Sequence, residues 1–199
     1  MLHVSNIDRT TRTRLGILDA AWDLVAEQGA SASIAEIAAA AGITRQSVYV
    51  HFGSRGGMLM ALLKRADERG QIFERFTVAL SHRDPARRLE AALDAWLAFV
   101  PGIMPVARDL VRLRSTDHDV AAAWKDRMDE LLGVWRQVAR SLARDKALAD
   151  GWTQAEAADF IWTSSSVQTY DLLTSDRGWT HKRACRVVKH GVSRTILAP

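Results

Sequence analysis

The sequence predicts an all-α protein of about nine helices, with an N-terminal three-helix domain and a larger C-terminal helical domain. Its 199 residues include only four prolines and are rich in alanine, leucine and arginine, which favours helix over strand. Apolar residues recur at spacings of three and four along most of the chain, the period of a helix with one buried face. Hydrophobic residues make up 48% and charged residues 25%, a composition typical of a folded protein.

The first predicted helix covers 11–28 and ends at Gly29, because glycine is common just after a helix. Its apolar residues fall on one face, namely Leu15, Leu18, Ala21, Trp22 and Val25. A short arm ahead of this helix carries three arginines, Arg9, Arg12 and Arg14.

Two short helices follow, separated by a glycine turn. Ser33 and Glu36 form a capping box at the start of the first helix, and Gly42 ends it. Thr44 then caps the second short helix. Residues 33–52 therefore predict a helix-turn-helix.

The remaining sequence predicts six further helices, each bounded by a cap, a proline or a glycine. They cover 54–80, 85–101, 105–114, 117–148, 153–174 and 179–197. In this scheme the helix that opens near residue 54 joins an N-terminal domain of residues 1–55 to a C-terminal domain of residues 56–199.

The second helix of a helix-turn-helix must offer polar side chains outward while its apolar side grips the scaffold. The apolar residues that would pack against the rest of the domain are Ile37, Ala38, Ala41, Ile43 and Val48. The outward set is Thr44, Arg45, Gln46, Ser47, Tyr49 and His51. Arginine and glutamine form paired hydrogen bonds with guanine and adenine edges, and hydroxyl groups suit phosphate oxygens. The pattern therefore predicts double-stranded DNA as a partner.

At this point the segment SIAEIAAAAGITRQSVYVHFGSRGGML, residues 33–59, resembles the TetR/AcrR family of bacterial repressors. The shared features are an Ile-Ala pair, an Ala-Gly step before isoleucine, a threonine cap, Tyr-x-His-Phe at 49–52 and a serine with a basic residue at 54–55. The preceding segment LGILDAAWDLVAEQG fits as well. The resemblance covers about residues 9–62, while the C-terminal part agrees only in length and helicity.

The resemblance implies a DNA-binding transcriptional regulator, most often a repressor released from a palindromic operator by a small-molecule effector. It implies DNA contacts from Ser33, Thr44, Arg45, Gln46, Ser47, Tyr49, His51 and Arg55. Arg55 stands where the family usually has lysine, and it keeps the positive charge. Gly56 and Gly57 depart from the usual pattern, and they predict either a frayed helix start or a soft joint that transmits ligand binding.

The charge pattern favours a focused basic face. The net charge of +4 permits a nucleic-acid partner without requiring one. Residues 1–55 contain five arginines and five acidic residues. Three of the acids lie on the first helix, whereas the arginines lie in the arm, on the recognition helix and at the start of the next helix.

The C-terminal half predicts a pocket for an apolar or aromatic small molecule, because large aromatic side chains and a few hydroxyl groups recur on its helix faces. The candidate lining residues are Trp96, Phe99, Met104, Trp124, Met128, Leu131, Trp135, Trp162, Ser166 and Thr169. The alternative is that these residues form an ordinary helical core.

By the same resemblance, the last two helices pair with those of a second chain to form a homodimer. One predicted stripe holds Phe160, Thr163, Ser164, Val167, Asp171 and Thr174. The other holds Val187, Val188, Gly191, Val192, Thr195 and Ile196. A two-fold dimer would present two recognition helices to successive major grooves of the palindrome.

Enzyme chemistry is not indicated. The sequence lacks GxSxG and GxGxxG, and GSRGG at 53–57 lacks the context of a phosphate loop. The six histidines show no metal spacing, and Asp117-His118-Asp119 predicts a helix-capping turn. We expect no cofactor, metal or membrane, and the single Cys185 with no apolar leader favours the cytoplasm.

Two other functions compete with the ligand-released repressor. A helix-turn-helix regulator controlled by a partner protein, with no small-molecule effector, has the same N-terminal signals. A helical ligand-binding enzyme would need catalytic polar clusters that the sequence does not contain.

Overall fold

The computed structural model describes residues 9–28 and 32–199, apart from the side chain of Ala26. Ten α-helices account for most of these residues: α1 (Arg9–Gln28), α2 (Ile34–Ala40), α3 (Arg45–Phe52), α4 (Arg55–Gly70), α5 (Ile72–Leu80), α6 (Pro85–Leu113), α7 (His118–Arg144), α8 (Gln154–Ser164), α9 (Val167–Asp171) and α10 (His181–Ile196). A π-helical turn, Leu172–Asp176, follows α9 directly. The all-α prediction is confirmed, while the predicted stop at Gly29 lies outside the described residues.

The helix starts follow the capping signals of the sequence. Both capping boxes form, because the Ser33 and Thr153 hydroxyls accept from the backbone N–H groups of Glu36 and Glu156, whose carboxylates accept in return. Asp117 Oδ1 accepts from the backbone N–H of Asp119 at 3.0 Å and of Val120 at 3.1 Å. The predicted capping turn at Asp117 is therefore confirmed.

The predicted arm is wrong, because α1 already begins at Arg9. Arg9, Arg12 and Arg14 therefore lie in the first turns of this helix. Arginine is a good helix former, and the Thr13 hydroxyl donates to the backbone carbonyl of Arg9 at 3.0 Å.

The predicted break at the prolines is also wrong, because α6 continues through Pro101 and Pro105 as a single helix of 29 residues. A proline in a helix interior costs about 3 kcal/mol. The buried face continues with Ile103 between the two prolines and with Val106 and Leu110 after them. Fully burying such side chains contributes about 1.5–3 kcal/mol each, so continuing the helix outweighs the missing backbone hydrogen bonds.

Two predicted helices are divided in the structure. The predicted helix 54–80 becomes α4 and α5, because Gln71 adopts a left-handed backbone with φ of 49° directly after Gly70. The predicted helix 153–174 breaks between α8 and α9, where Ser166 becomes the N-cap of α9. Glycine and serine are weak helix formers, so these residues were the available signals for both breaks.

The chain forms two compact units. Unit 1 comprises the described residues up to Ala66 together with Pro105–Trp124, and unit 2 comprises Asp67–Met104 and Lys125–Pro199. Unit 1 therefore contains α1 to α3 and the turn that joins α6 to α7. The division of the chain into domains at residue 55 stays a prediction.

Among the helices that the structure describes, α6 is the one that is long and apolar enough to cross a membrane by length and composition. More than half of its most apolar stretch, 56%, is buried inside the protein. Leu93, Trp96, Leu97 and Val100 are among its buried residues. These features fit the core helix of a folded domain.

Candidate functional site

In unit 1, α2 and α3 form the predicted helix-turn-helix. Gly42 has a φ of 66° in the turn between them, a backbone conformation that glycine adopts without strain. The Thr44 hydroxyl accepts from the backbone N–H of Ser47 at 3.1 Å and so caps α3. Ile37 and Val48 are buried, so the apolar side of the motif faces the domain core as predicted.

The opposite face of α3 is open to solvent. Thr44, Arg45, Gln46 and Tyr49 are exposed, and Ser47 is half-buried. Among the described residues, the Arg45 side chain has no ion-pair partner. This face therefore has free donors and acceptors of the types that read base edges and phosphates.

Sequence reasoning missed Val50 on this face. Its side chain is 78% exposed, although valine is apolar. The signal was available, because Val48 and Phe52 are buried four residues apart on one side of α3 and residue 50 must lie on the other. An exposed apolar side chain on a recognition helix suits the methyl group of thymine.

Two residues of the predicted DNA-contact set, Ser33 and His51, also make hydrogen bonds within the chain. The Ser33 hydroxyl is occupied as the N-cap of α2, where its hydrogen bonds also lower the pKa of Glu36. The backbone carbonyl of His51 accepts from Arg14 Nη1, and the Arg14 guanidinium lies 4.3 Å from the ring centroid of Phe52. Arg14 thus ties α1 to the end of α3.

Arg55 is held inside unit 1. Its Nη2 and Nε donate to Asp109 Oδ2 at 2.7 and 3.1 Å, and its Nη1 donates to the backbone carbonyl of Ala32 at 2.6 Å. The Asp109 side chain is 0% exposed and also accepts from Arg112 at 2.5 Å. Arg55 therefore links the starts of α2 and α4 to α6, a structural role that does not leave its guanidinium free for DNA.

The glycines after Arg55 sit where side chains do not fit. A Cβ on Gly56 would lie 1.9 Å from Val120 Cγ2, and one on Gly57 would lie 2.1 Å from the backbone oxygen of Phe52. Such distances are far inside van der Waals contact. Close packing therefore explains why these two positions are glycine. This explanation differs from the frayed helix start and from the soft joint.

The predicted ligand-lining residues divide between the two units. Trp124 belongs to unit 1, and the other nine belong to unit 2. Trp96, Met104, Leu131 and Trp135 are buried in unit 2. The remaining five are half-buried, namely Phe99, Met128, Trp162, Ser166 and Thr169.

Several of these groups already have partners in unit 2. The indole N–H of Trp96 donates to the backbone carbonyl of Ser165 at 2.7 Å. Ser166 Oγ accepts from the backbone N–H of Thr169 at 3.1 Å, and the Thr169 hydroxyl donates to the Thr163 carbonyl at 2.9 Å. The two hydroxyl groups therefore support the break between α8 and α9.

The buried face of α7 in unit 2 is different. Trp135 is 0% exposed, lies edge-on to Phe76 at 5.4 Å between ring centroids, and its Nε1 has no hydrogen-bond partner. Two turns earlier, Arg127 Nη2 donates to Asp67 Oδ1 at 2.8 Å, while the buried Nη1 has no partner. Burial raises the pKa of Asp67, and the charge of Arg127 opposes that rise. Sequence reasoning missed both Asp67 and Arg127.

The predicted dimer stripes are only partly available at the surface. Thr163, Val187, Gly191 and Thr195 are exposed. Val167, Val192 and Ile196 are buried within unit 2, so their assignment to a dimer interface is wrong. The reason is that α10 packs against α8 and buries Val192 and Ile196 in the core of its own chain, while Val167 is buried on α9.

Together, the capped turn and the projecting face of α3 define a helix-turn-helix DNA-binding domain in an all-helical protein. Residues 17–62 match the family model of the bacterial regulatory proteins of the tetR family. Over these residues the chain is similar to the DNA-binding domain of the tetR family. No curated protein sequence matches it.

Solved structures share the fold over nearly the whole chain. A transcriptional regulator from Saccharomonospora viridis in complex with choline has 19% identity and a TM-score of 0.77, with 95% of this chain and 100% of that chain covered. A tetR-family regulator from Mesorhizobium loti has 17% identity and a TM-score of 0.71, with 94% and 96% covered. NalD, the secondary repressor of the MexAB-OprM multidrug efflux pump in Pseudomonas aeruginosa, has 23% identity and a TM-score of 0.66, with 94% and 96% covered.

Proposed function

We propose that this protein is a repressor that binds a palindromic operator as a homodimer and is released by a small apolar or aromatic ligand. The observation that carries the DNA-binding part is the projecting face of α3, on which Arg45, Gln46 and Tyr49 are exposed. Arg45 and Gln46 supply direct readout of bases, the hydroxyls of Thr44 and Tyr49 contact phosphates, and Val50 adds an apolar contact.

The dimer and the effector are proposed from features of unit 2. The exposed residues of α8 and α10 can form a self-complementary face, and a two-fold axis would repeat α3 on the DNA. Unit 2 has the buried aromatic side chains that a small-molecule site needs, and the fold neighbour from Saccharomonospora viridis was solved with choline. The competing proposal is control by a partner protein.

The DNA-binding proposal is tested with an operator selected by the full-length protein from a random duplex pool. Arg45→Ala should weaken binding by about 1–3 kcal/mol, measured by fluorescence anisotropy at fixed salt. The matched control is Arg140→Ala, because Arg140 is exposed on α7 in unit 2. Equal affinities of wild type and Arg45→Ala would contradict the role of α3.

The same assay tests symmetry and release. Scrambling one half of the selected operator should abolish tight binding by the dimer, whereas a monomer reading one half-site would lose little. A cell extract passed through a small-pore filter should release the operator if the effector is a small molecule. Release by the retained macromolecules alone would favour the partner-protein alternative.

A further inference from the structure

Three donor groups on the buried face of α7 have no hydrogen-bond partner among the described residues, namely Trp124 Nε1 in unit 1 and two groups in unit 2. Trp135 Nε1 and Arg127 Nη1 are both buried and without a hydrogen-bond partner, and both belong to unit 2. Leu131 lies between them on the same face and is also buried. A buried donor without an acceptor is costly, about 1–3 kcal/mol, so native proteins retain few of them.

The neighbouring Trp96 shows that the chain can satisfy such a group. Trp96 is 1% exposed, close to the 0% of Trp135. Its indole N–H donates to the Ser165 carbonyl at 2.7 Å. The difference between two equally buried indoles in one unit indicates that the acceptor for Trp135 comes from outside the chain.

The charges around Arg127 define the kind of acceptor. Asp67 takes one arm of the guanidinium at 2.8 Å, and Glu130 Oε2 lies 3.9 Å from the other arm, beyond hydrogen-bond distance. With two carboxylates near one guanidinium, an added anion would be repelled, whereas a neutral oxygen would not. Neither an indole N–H nor a guanidinium can accept a hydrogen bond, so a ligand that pairs with these two groups must present an acceptor to them.

The aromatic side chains next to the two donors indicate the chemistry of the rest of the ligand. Trp135 lies edge-on to Phe76, and the Arg127 guanidinium is 5.5 Å from the ring centroid of Phe73. The two donors are eight residues apart on one helix face, about 12 Å along the axis. A short ligand can therefore reach one donor, and an elongated one can reach both.

We infer that the effector is an uncharged, largely aromatic molecule with a carbonyl-type oxygen that accepts from Trp135 Nε1 or Arg127 Nη1. This inference rests on the proposed ligand-released function and specifies its ligand class. Trp135 and Arg127 supply polar recognition, while the aromatic side chains supply contact area.

A matched pair of probes tests this inference on the full-length protein. In 2-acetylnaphthalene a carbonyl replaces a CH2 group of 2-ethylnaphthalene, so the two differ mainly in the acceptor. We expect the ketone to bind about tenfold more tightly, the worth of one hydrogen bond, measured by quenching of tryptophan fluorescence. The anion 2-naphthoate should bind more weakly than the ketone.

Variants assign the preference to the two donors. The double variant carries Trp135→Phe and Arg127→Lys. Its affinities for 2-acetylnaphthalene and 2-ethylnaphthalene should be about equal, because phenylalanine has no donor and lysine lacks the second planar N–H group. Lysine keeps the charge opposite Asp67, and thermal unfolding checks that the variant is folded. Trp96→Phe is the control and should keep the tenfold ratio, because the Trp96 N–H is already bound to Ser165.

The outcomes separate this inference from the function on which it rests. Equal binding of the two naphthalenes to wild type, or an unchanged ratio in the double variant, would overturn the acceptor inference and leave an apolar effector site standing. Failure of both naphthalenes to bind at one site per chain would overturn the inferred ligand class, whereas the ligand-released function is overturned only if the small-molecule fraction of the extract also fails to release the operator.

Discussion

Buried polar groups are paired differently in two regions of the molecule. The first region is the anchor of the helix-turn-helix, by which we mean Arg55, Asp109 and Arg112 with the neighbouring Gly56 and Gly57, and the second is the buried face of α7. In unit 1 the fully buried Asp109 accepts from two guanidinium groups, and Arg55 also donates to the backbone before α2. On the part of α7 that belongs to unit 2, the buried donors Trp135 Nε1 and Arg127 Nη1 have no hydrogen-bond partner among the described residues. A surface that reads DNA must be held in one geometry, whereas a site that takes a ligand must keep donors unused until the ligand arrives.

The largest expected effect is the loss of the buried carboxylate in unit 1. Asp109→Ala should lower the free energy of unfolding by about 3–5 kcal/mol, because it leaves the half-buried Arg55 charge without its partner. Urea unfolding followed by circular dichroism measures this. If this ion pair holds the helix-turn-helix in place, the affinity of Asp109→Ala for the operator should also be lower than that of wild type.

The matched control is an exposed ion pair. Asp129 accepts from Lys125 at 2.5 Å, and both side chains are more than half exposed. Asp129→Ala should cost at most about 0.5 kcal/mol, as is usual for exposed helix pairs. Similar costs for Asp109→Ala and Asp129→Ala would show that the anchor contributes no more than a surface contact.

A second effect concerns the glycines of the anchor. Alanine is the better helix former by about 1 kcal/mol, so propensity alone predicts that Gly57→Ala stabilises the protein. The Cβ would instead lie 2.1 Å from the Phe52 carbonyl oxygen. We expect a net loss of about 1–3 kcal/mol in thermal or urea unfolding, as for other overpacked sites.

Gly16 provides the comparison for Gly57. It lies inside α1, and a Cβ there would meet nothing within 4 Å. Gly16→Ala should therefore stabilise the protein by up to about 1 kcal/mol. Gains in both variants would mean that the start of α4 is a frayed or soft segment, as the sequence also allowed, and not a tightly packed one.

Local signals made the helix-turn-helix predictable. Ser33 with Glu36, Gly42 and Thr44 act over three or four residues, and each forms its expected cap or turn. The helical period also predicts the exposed face of α3, and the same period places Val50 on that face. The roles of the exposed side chains in DNA binding stay predictions.

Long-range pairings could not be predicted. Arg55 meets Asp109 across 54 residues, and Trp96 meets Ser165 across 69. No period or cap specifies such a pair, because packing of distant helices decides it. The same packing carries α6 through Pro101 and Pro105, where the local rules of proline predict a break.

A further expected effect, smaller than that of Asp109→Ala, compares two tryptophans of unit 2 without any ligand. Trp96→Phe and Trp135→Phe remove the same group from equally buried positions. Trp96→Phe also breaks the hydrogen bond to Ser165, whereas Trp135→Phe removes a donor that has no partner. Trp96→Phe should therefore cost about 1–2 kcal/mol more than Trp135→Phe. Because both lose similar apolar contacts, the difference in their urea midpoints isolates the hydrogen bond, and equal costs would mean that the Trp135 donor is satisfied within the chain.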